Sequence, residues 1–293
     1  MTAVKAKNYG VDLSSHNPTD CTKYKGYASF AIVKVSEGTS YQNPSAKKQL
    51  DSAKANGMMQ AGYHFATFGA SESAAKSEAN YAVKSAKSAG LPAGTYFACD
   101  WETGSGNNVN GGKKASATAI LAFMKVVKYA GYTPLLYSGA YLLKNNVETS
   151  TITAKYGTCL WVASYPSGNG TRVDTANFNY FPSMDGVAIW QFTDNWRGWS
   201  VDGNINVVEL KDSITSTWVK NSGIFTLNTA LNIHTKANID APSIAKLPKG
   251  SVVKYDSTLQ GPLRLWLRQP RSNGTYGYIV GKDKYGKALG TFS

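Results

Sequence analysis

Apolar residues recur through the first two-thirds of the chain in short runs closed by Gly, Pro, Ser or Asn, and helical periodicity fills several of the gaps between them. The runs Tyr9–Leu13, Phe30–Val35, Met58–Phe65, Tyr96–Cys99, Thr133–Tyr137, Cys159–Ser164, Val187–Phe192 and Val201–Val208 predict strands. After the second, Asn43-Pro44 predicts a helix with Asn43 as cap and Pro44 in its first turn, continuing through Leu50 and Ala53 to a stop at Gly57. An alanine-rich stretch from Ser71 to Ala89 predicts a second helix. A third is predicted over Lys113–Ala130, where Ile120, Leu121, Met124 and Val127 share a face. A short helical stretch follows near Tyr141–Asn145. Between the sixth and eighth strands, Gly168, Gly170, Pro182 and Gly186 interrupt every helical window. Strands alternating with helices predict an α/β fold, an irregular (β/α) TIM-like barrel with few helices in its last third.

From Gly223 the pattern changes to short strands with close turns: Ile224–Leu227, Leu231–His234, Val252–Tyr255, Leu263–Leu267 and Tyr276–Val280. Roughly seventy residues of this kind predict a small all-β barrel, able to fold alone but too small to enclose a large active site. The expected organisation is a barrel domain over 1–212, a linker over 213–222 and a β domain over 223–293.

The fourth run ends in chemistry. Tyr96 to Glu102 reads Y-F-A-C-D-W-E, and side chains alternate along a strand, so Asp100 and Glu102 point one way, with Cβ atoms roughly 6.5 to 7 Å apart, while Trp101 points the other. Two acids on one desolvated face hold a proton near neutral pH, which sets an acid beside a carboxylate. A solvated loop entrance is the other reading of the same triplet. Asp12, Tyr63, Asp100, Glu102, Tyr137, Tyr165, Gln191 and Asp202 all fall near predicted strand ends, and in a barrel of this kind one end carries the active site. Lys34, in an apolar strand, needs a counter-charge that Glu37 or a carboxylate across the site can supply. His64 reads as a structural hydrogen-bonder.

Net charge is +13, and it is uneven, since Val219–Ser293 holds 11 Lys and Arg against 3 acids. That excess calls for a polyanionic partner or surface. In the same region Phe225, Tyr255, Trp266, Tyr276, Tyr278 and Tyr285 lie among Arg264, Arg268, Arg271, Lys282 and Lys284, a mixture that suits single-stranded nucleic acid, carbohydrate or peptide. No nucleotide or zinc motif accompanies it, so no nucleic-acid partner is expected. Cys21, Cys99 and Cys159 are odd in number and lack metal-type spacing; neither a disulfide framework nor a metal or other cofactor is expected. No run of 18 apolar residues predicts a membrane span, and the N-terminus lacks the apolar segment of a secretory signal.

Residues 1 to about 212 resemble the family-25 glycoside hydrolases, the lysozyme-type muramidases common among bacteriophage lysins. The resemblance rests on G-V-D-L-S-S-H-N at Gly10, F-A-I-V-K-V-S-E-G-T at Phe30, G-Y-H-F at Gly62, F-A-C-D-W-E at Phe97, Y-S-G at Tyr137, L-W-V-A-S-Y at Leu160, W-Q-F-T at Trp190 and V-D-G-N at Val201, in that order. Residues 223–293 resemble bacterial SH3-like wall-binding domains through A-L-N-I-H-T, L-P-K-G-S-V-V-K-Y, W-L-R-Q and Y-G-Y-I, with His234 where an arginine is usual. The resemblance implies hydrolysis of the β-1,4 bond between N-acetylmuramic acid and N-acetylglucosamine in peptidoglycan. It makes Glu102 the general acid/base and Asp100, Asp12 and Asp202 its supporting carboxylates, with Asp194 an alternative to Asp202.

With a 2-acetamido substrate, retention through the acetamido oxygen is expected, with Asp100 orienting its N–H. Tyr63 and Tyr137 are candidates to hydrogen-bond that group; Trp161, Tyr165 and Trp190 are candidates to stack on sugar rings or to pack in the core. Gln191, Lys34 and Glu37 complete the expected site. Expected partners are peptidoglycan and, for the small domain, a wall peptide or an anionic wall polymer; a monomer is expected. Synthesis in a host cytoplasm, followed by release through a holin-type lesion to the wall outside, is implied. The rival readings are a wall-binding adhesin without hydrolysis and a chitinase-like N-acetylglucosaminidase.

Overall fold

The computed structural model describes residues 3–104, 106–166, 168, 170–211, 218–239, 241–261, 264–283 and 286–293. The chain divides into two compact units, Met1–Asp212 and Ser213–Ser293.

The first unit is a closed barrel. Its strands are β1 (Tyr9–Leu13), β2 (Phe30–Glu37), β3 (Met59–Phe65), β4 (Tyr96–Asp100), β5 (Thr133–Gly139), β6 (Leu160–Ala163), β7 (Val187–Thr193) and β8 (Asp202–Asn206). Neighbours β1 through β7 pair in parallel, in chain order. The last strand is different: β8 runs antiparallel to both β7 and β1 and so closes the ring in reverse. Only eight residues separate β7 from β8, too few for the dozen or more that a parallel crossover needs. The reversal therefore places the start of β8, and not its end, beside the C-terminal ends of the other seven strands.

The helices are α1 (Ala46–Ala55), α2 (Glu72–Ser88), α3 (Lys113–Tyr129), α4 (Ala140–Asn146) and α5 (Thr149–Tyr156). Asn43 is not the cap of α1. Its Oδ1 instead accepts from Ser45 N in a turn before the helix, Ser45 is the N-cap, and Pro44 stands outside. Ser71 caps α2 by accepting from Ala74 N. The sequence reading passes over α5, whose Thr-rich composition disfavours helix; buried Ile152 anchors it. Fully buried Phe97, Phe123, Trp101, Trp190 and Phe192 belong to a single apolar core.

The second unit is an antiparallel seven-stranded sheet of β9 (Val219–Leu227), β10 (Leu231–His234), β11 (Ser243–Leu247), β12 (Val252–Gln260), β13 (Leu265–Pro270), β14 (Tyr276–Lys282) and β15 (Gly290–Phe292), in the order β11-β10-β14-β13-β12-β9-β15. Of the linker expected at 213–222, residues 213–217 lie outside the described residues, and Val219 and Lys220 already pair with Thr258 and Ser257 as the beginning of β9. Leu263, Lys284 and Tyr285 also lie outside them. Phe225, Leu227, Ile233, Val253, Leu267 and Ile279 form the core of this unit, and Arg268 pairs bidentately with Asp256 at 2.8 and 3.0 Å.

Candidate active site

The barrel mouth gathers four carboxyls from three strands. Asp12 lies near the end of β1, Asp202 opens β8 directly opposite it, Asp100 ends β4, and Glu102 follows in the loop. Alternation puts Trp101 on the other side, where it is fully buried and its Nε1 donates to Gly69 O at 2.9 Å. A ring fixed in the core holds the two flanking acids towards the mouth. The backbone of Glu102 is held as well: buried Asn107 donates through Nδ2 to Glu102 O at 2.7 Å and accepts at Oδ1 from Gly69 N at 2.8 Å.

The two acids of the triplet differ. Asp100 is buried and its Oδ1 finds no hydrogen-bond partner, so burial, with the nearby Glu102 charge, pushes its carboxyl well above the usual range. Glu102 is half-buried; burial and the charge of Asp12 raise it to about 7, against a pull downward from Lys34. An acid of this kind is part protonated and part ionised at neutral pH, the condition for giving a proton in one step and taking one in the next.

Asp12 and Asp202 form a hydrogen-bonded pair of carboxyls. Burial and the Asp12 charge push Asp202 up to about 9, so it holds the shared proton. Asp12 is also raised by burial, but its Oδ2 accepts from Asn204 Nδ2 at 2.7 Å and Gln191 Nε2 at 2.9 Å, which favours its ionised form relative to Asp202. Gln191 is a hub, since its Oε1 accepts from both Tyr137 and Tyr165 hydroxyls at 2.8 Å while its amide faces Asp12. Tyr63 lies in the field of all four acids, and burial and those charges raise its phenol well above the ordinary value.

Trp161 and Trp190 are not sugar platforms. Both are fully buried: Trp161 lies inside the barrel, donating to Asn204 Oδ1 at 2.7 Å with its ring 4.4 Å from that of Tyr137, and Trp190 donates to Ser164 O at 2.8 Å among Phe178, Phe181 and Phe192. Tyr165 keeps part of its surface open to solvent and remains available to a ligand. Lys34 Nζ bonds Glu37 Oε2 at 2.6 Å and stands 4.9 Å from the Phe65 ring centre, on the acid side of the mouth. Asp194 is not the counterpart of Asp12, because its carboxylate is engaged by Gly170 N at 2.9 and 3.0 Å. His64 is buried between Ser36 Oγ, at 2.8 Å, and Glu78 Oε2, at 3.1 Å; burial lowers its pKa, in keeping with a structural role.

The sequence reading left Asn204 and Asn107 out of the site. Asn204 is two residues from Asp202 on one strand, so period-two alternation was the signal for it; Asn107 sits in an irregular loop with no such signal. Asp202 opens its strand and does not end it, and it reaches the mouth beside the other strands' C-terminal ends because β8 is reversed. Among the described residues no group of three or more His, Cys, Asp or Glu could hold a metal ion.

A closed barrel with paired acids at its mouth is the architecture of a glycoside hydrolase, and the sequence profile described as "Glycosyl hydrolases family 25" matches residues 11–200. The chain belongs to this family. It is a glycoside hydrolase of the lysozyme, or muramidase, type. It is 42% identical to the lysozyme of Lactococcus phage mv1 over 181 residues, covering 61% of this chain and 89% of that protein. It is 34% identical to the lysozyme of Streptococcus phage Cp-1 over 227 residues, 75% of this chain but only 60% of that longer protein. Among solved structures, a mutant of the modular Cpl-1 endolysin in complex with a tetrasaccharide-pentapeptide peptidoglycan analogue matches with a TM-score of 0.60 and 26% identity, covering 93% of this chain and 77% of that one.

Proposed function

We propose that this enzyme cleaves the β-1,4 bond between N-acetylmuramic acid and N-acetylglucosamine in bacterial peptidoglycan, with retention and with help from the substrate's own acetamido group. Glu102 protonates the glycosidic oxygen as the acetamido oxygen attacks the anomeric carbon; the bond to the leaving sugar breaks and a cyclic oxazolinium forms. Glu102, now ionised, takes a proton from the water that opens the ring, restoring both the acetamido group and the acid. Asp100, kept neutral by burial and the nearby Glu102 charge, accepts from the acetamido N–H through its unpartnered oxygen and so orients the attacking acetamido group.

The observation that carries this reading is the inequality of the two acids. Glu102 is half-open and titrates near neutrality, while Asp100 is buried with one oxygen unpartnered, an acceptor for a donor that a bound substrate brings. Asp12, Asp202, Gln191, Asn204, Tyr137 and Tyr165 then form the hydrogen-bonded wall of the subsite. The second unit, with its basic excess, serves to hold the enzyme on the wall.

The test is the mass of soluble fragments released from purified Gram-positive walls. Disaccharide-peptides with a reducing N-acetylmuramic acid end are expected from the native protein and none from Glu102→Gln. Reducing N-acetylglucosamine ends would overturn the bond assignment, and wall binding without release would leave an adhesin.

A further inference from the structure

The second unit carries its own cavity, of about 410 Å³, lined by its own residues. Leu231 on β10, Val280 on β14 and Leu289 give it an apolar floor, and Ile239, 47% exposed, stands at its lip. Two cations line it, Lys246 on β11 and Arg264 just before β13, and neither makes an ion pair among the described residues. Arg268 presents a contrast, for it is neutralised by Asp256 and covers Tyr276 with its guanidinium 4.4 Å from the ring centre. The cavity therefore combines apolar surface with two cations uncommitted to any carboxylate of the described chain. Asp283 also lines it, one carboxylate oxygen accepting from Lys287 N at 3.0 Å.

We propose that this cavity is the wall-recognition site of the second unit and that it takes the free carboxylate end of an uncross-linked wall peptide. This rests on the reading of the protein as a wall hydrolase. Lys246 and Arg264 would receive the carboxylate, with Arg264 able to grip both oxygens, while small aliphatic side chains of the peptide lie on Leu231, Val280 and Leu289. A polyol-phosphate polymer fits this cavity less well, because it has no apolar groups to desolvate that floor and would meet the negative charge of Asp283. Charge-assisted hydrogen bonds made in a partly apolar pocket give specificity that the diffuse positive field of the unit does not.

The experiment uses the full-length protein in co-sedimentation with purified walls, in competition with an N-acetylated tetrapeptide ending in alanine carboxylate, with the same peptide as its amide, and with glycerol phosphate. Removing both cations, in Lys246→Ala/Arg264→Ala, is expected to weaken wall binding about tenfold or more. Lys254→Ala, which removes an exposed charge outside the cavity, is expected to change it less than about twofold. The carboxylate peptide should compete and its amide should not. Equal effects of the cavity and control variants, competition by the amide, competition by glycerol phosphate, or loss of binding on walls stripped of anionic polymer would each overturn the proposal. Cleavage of a short soluble glycan, measured in parallel, separates the two failures: its absence in the native protein sinks the enzymatic reading, and its presence without carboxylate dependence sinks only the cavity.

Discussion

Asp202 on β8 faces Asp12 on β1 as its direct register partner, and the two share a hydrogen bond in which Asp202 holds the proton. The pair is thus asymmetric, and its two members should respond differently to substitution. Asp202→Asn keeps a donor towards Asp12 and should cost little stability and less than about tenfold in kcat/KM. Asp12→Ala strands the amides of Asn204 and Gln191 and should cost roughly 2–4 kcal/mol in urea unfolding, together with most of the activity.

Glu102 gives a stability signature independent of catalysis. Its folded-state pKa of about 7 stands above the ordinary 4.5, so its contribution to stability is complete below about 4.5 and is lost as pH rises through 7. Glu102→Gln has no such loss. The inactive variant should match the native protein near pH 4 and exceed it at pH 8 by roughly 1–3 kcal/mol, after allowance for screening at a half-open site. Thermal unfolding at the two pH values measures the divergence.

In the proposed mechanism the same group sets the alkaline limb of activity. A general acid that titrates near 7 makes turnover fall above that pH. Lys34 pulls Glu102 downward, so Lys34→Met should move the limb to higher pH, whereas Lys47→Met, at an exposed helix position paired with Asp51, should leave it in place. A pH–rate profile on soluble substrate decides.

Trp161→Phe tests the burial of that ring. Loss of the Nε1 bond leaves Asn204 Oδ1 short of a partner and should cost about 1–2 kcal/mol, with KM changed by less than about twofold. A stacking platform would instead show its loss chiefly in KM.

Asn107 holds the backbone of Glu102, donating to its carbonyl oxygen while it accepts from Gly69 N. Asn107→Ala unties Glu102 O from Gly69 N and should lower kcat about tenfold with KM nearly constant, since a small displacement of a catalytic group is costly. A structural defect alone would lower the amount of folded enzyme, which active-site titration reports, and leave kcat per folded molecule unchanged.

The seven parallel strands were legible because each is an apolar run bounded by turn residues, and Asp100 and Glu102 shared a face because alternation requires it. The direction of β8 lay outside that pattern: V-D-G-N-I-N alternates equally well in either sense, and only the shortness of the preceding connection decides. Exposure was the other blind spot. Trp161 and Trp190 carry the composition of a sugar-binding surface, yet a tryptophan's burial depends on what faces it from other strands, here Tyr137 for one and Phe178 and Phe181 for the other. α5 stayed hidden because tertiary packing of Ile152 outweighs the weak helix propensity of its threonines.

Because β8 descends where its seven neighbours climb, the barrel's polypeptide departs at the floor. There Leu210–Lys211 zips against Ala3–Val4, so the first and last stretches of the barrel are tied together far from the carboxyls. The barrel's own chain ends thus close into one seam, on the side away from the strand ends that carry the acids.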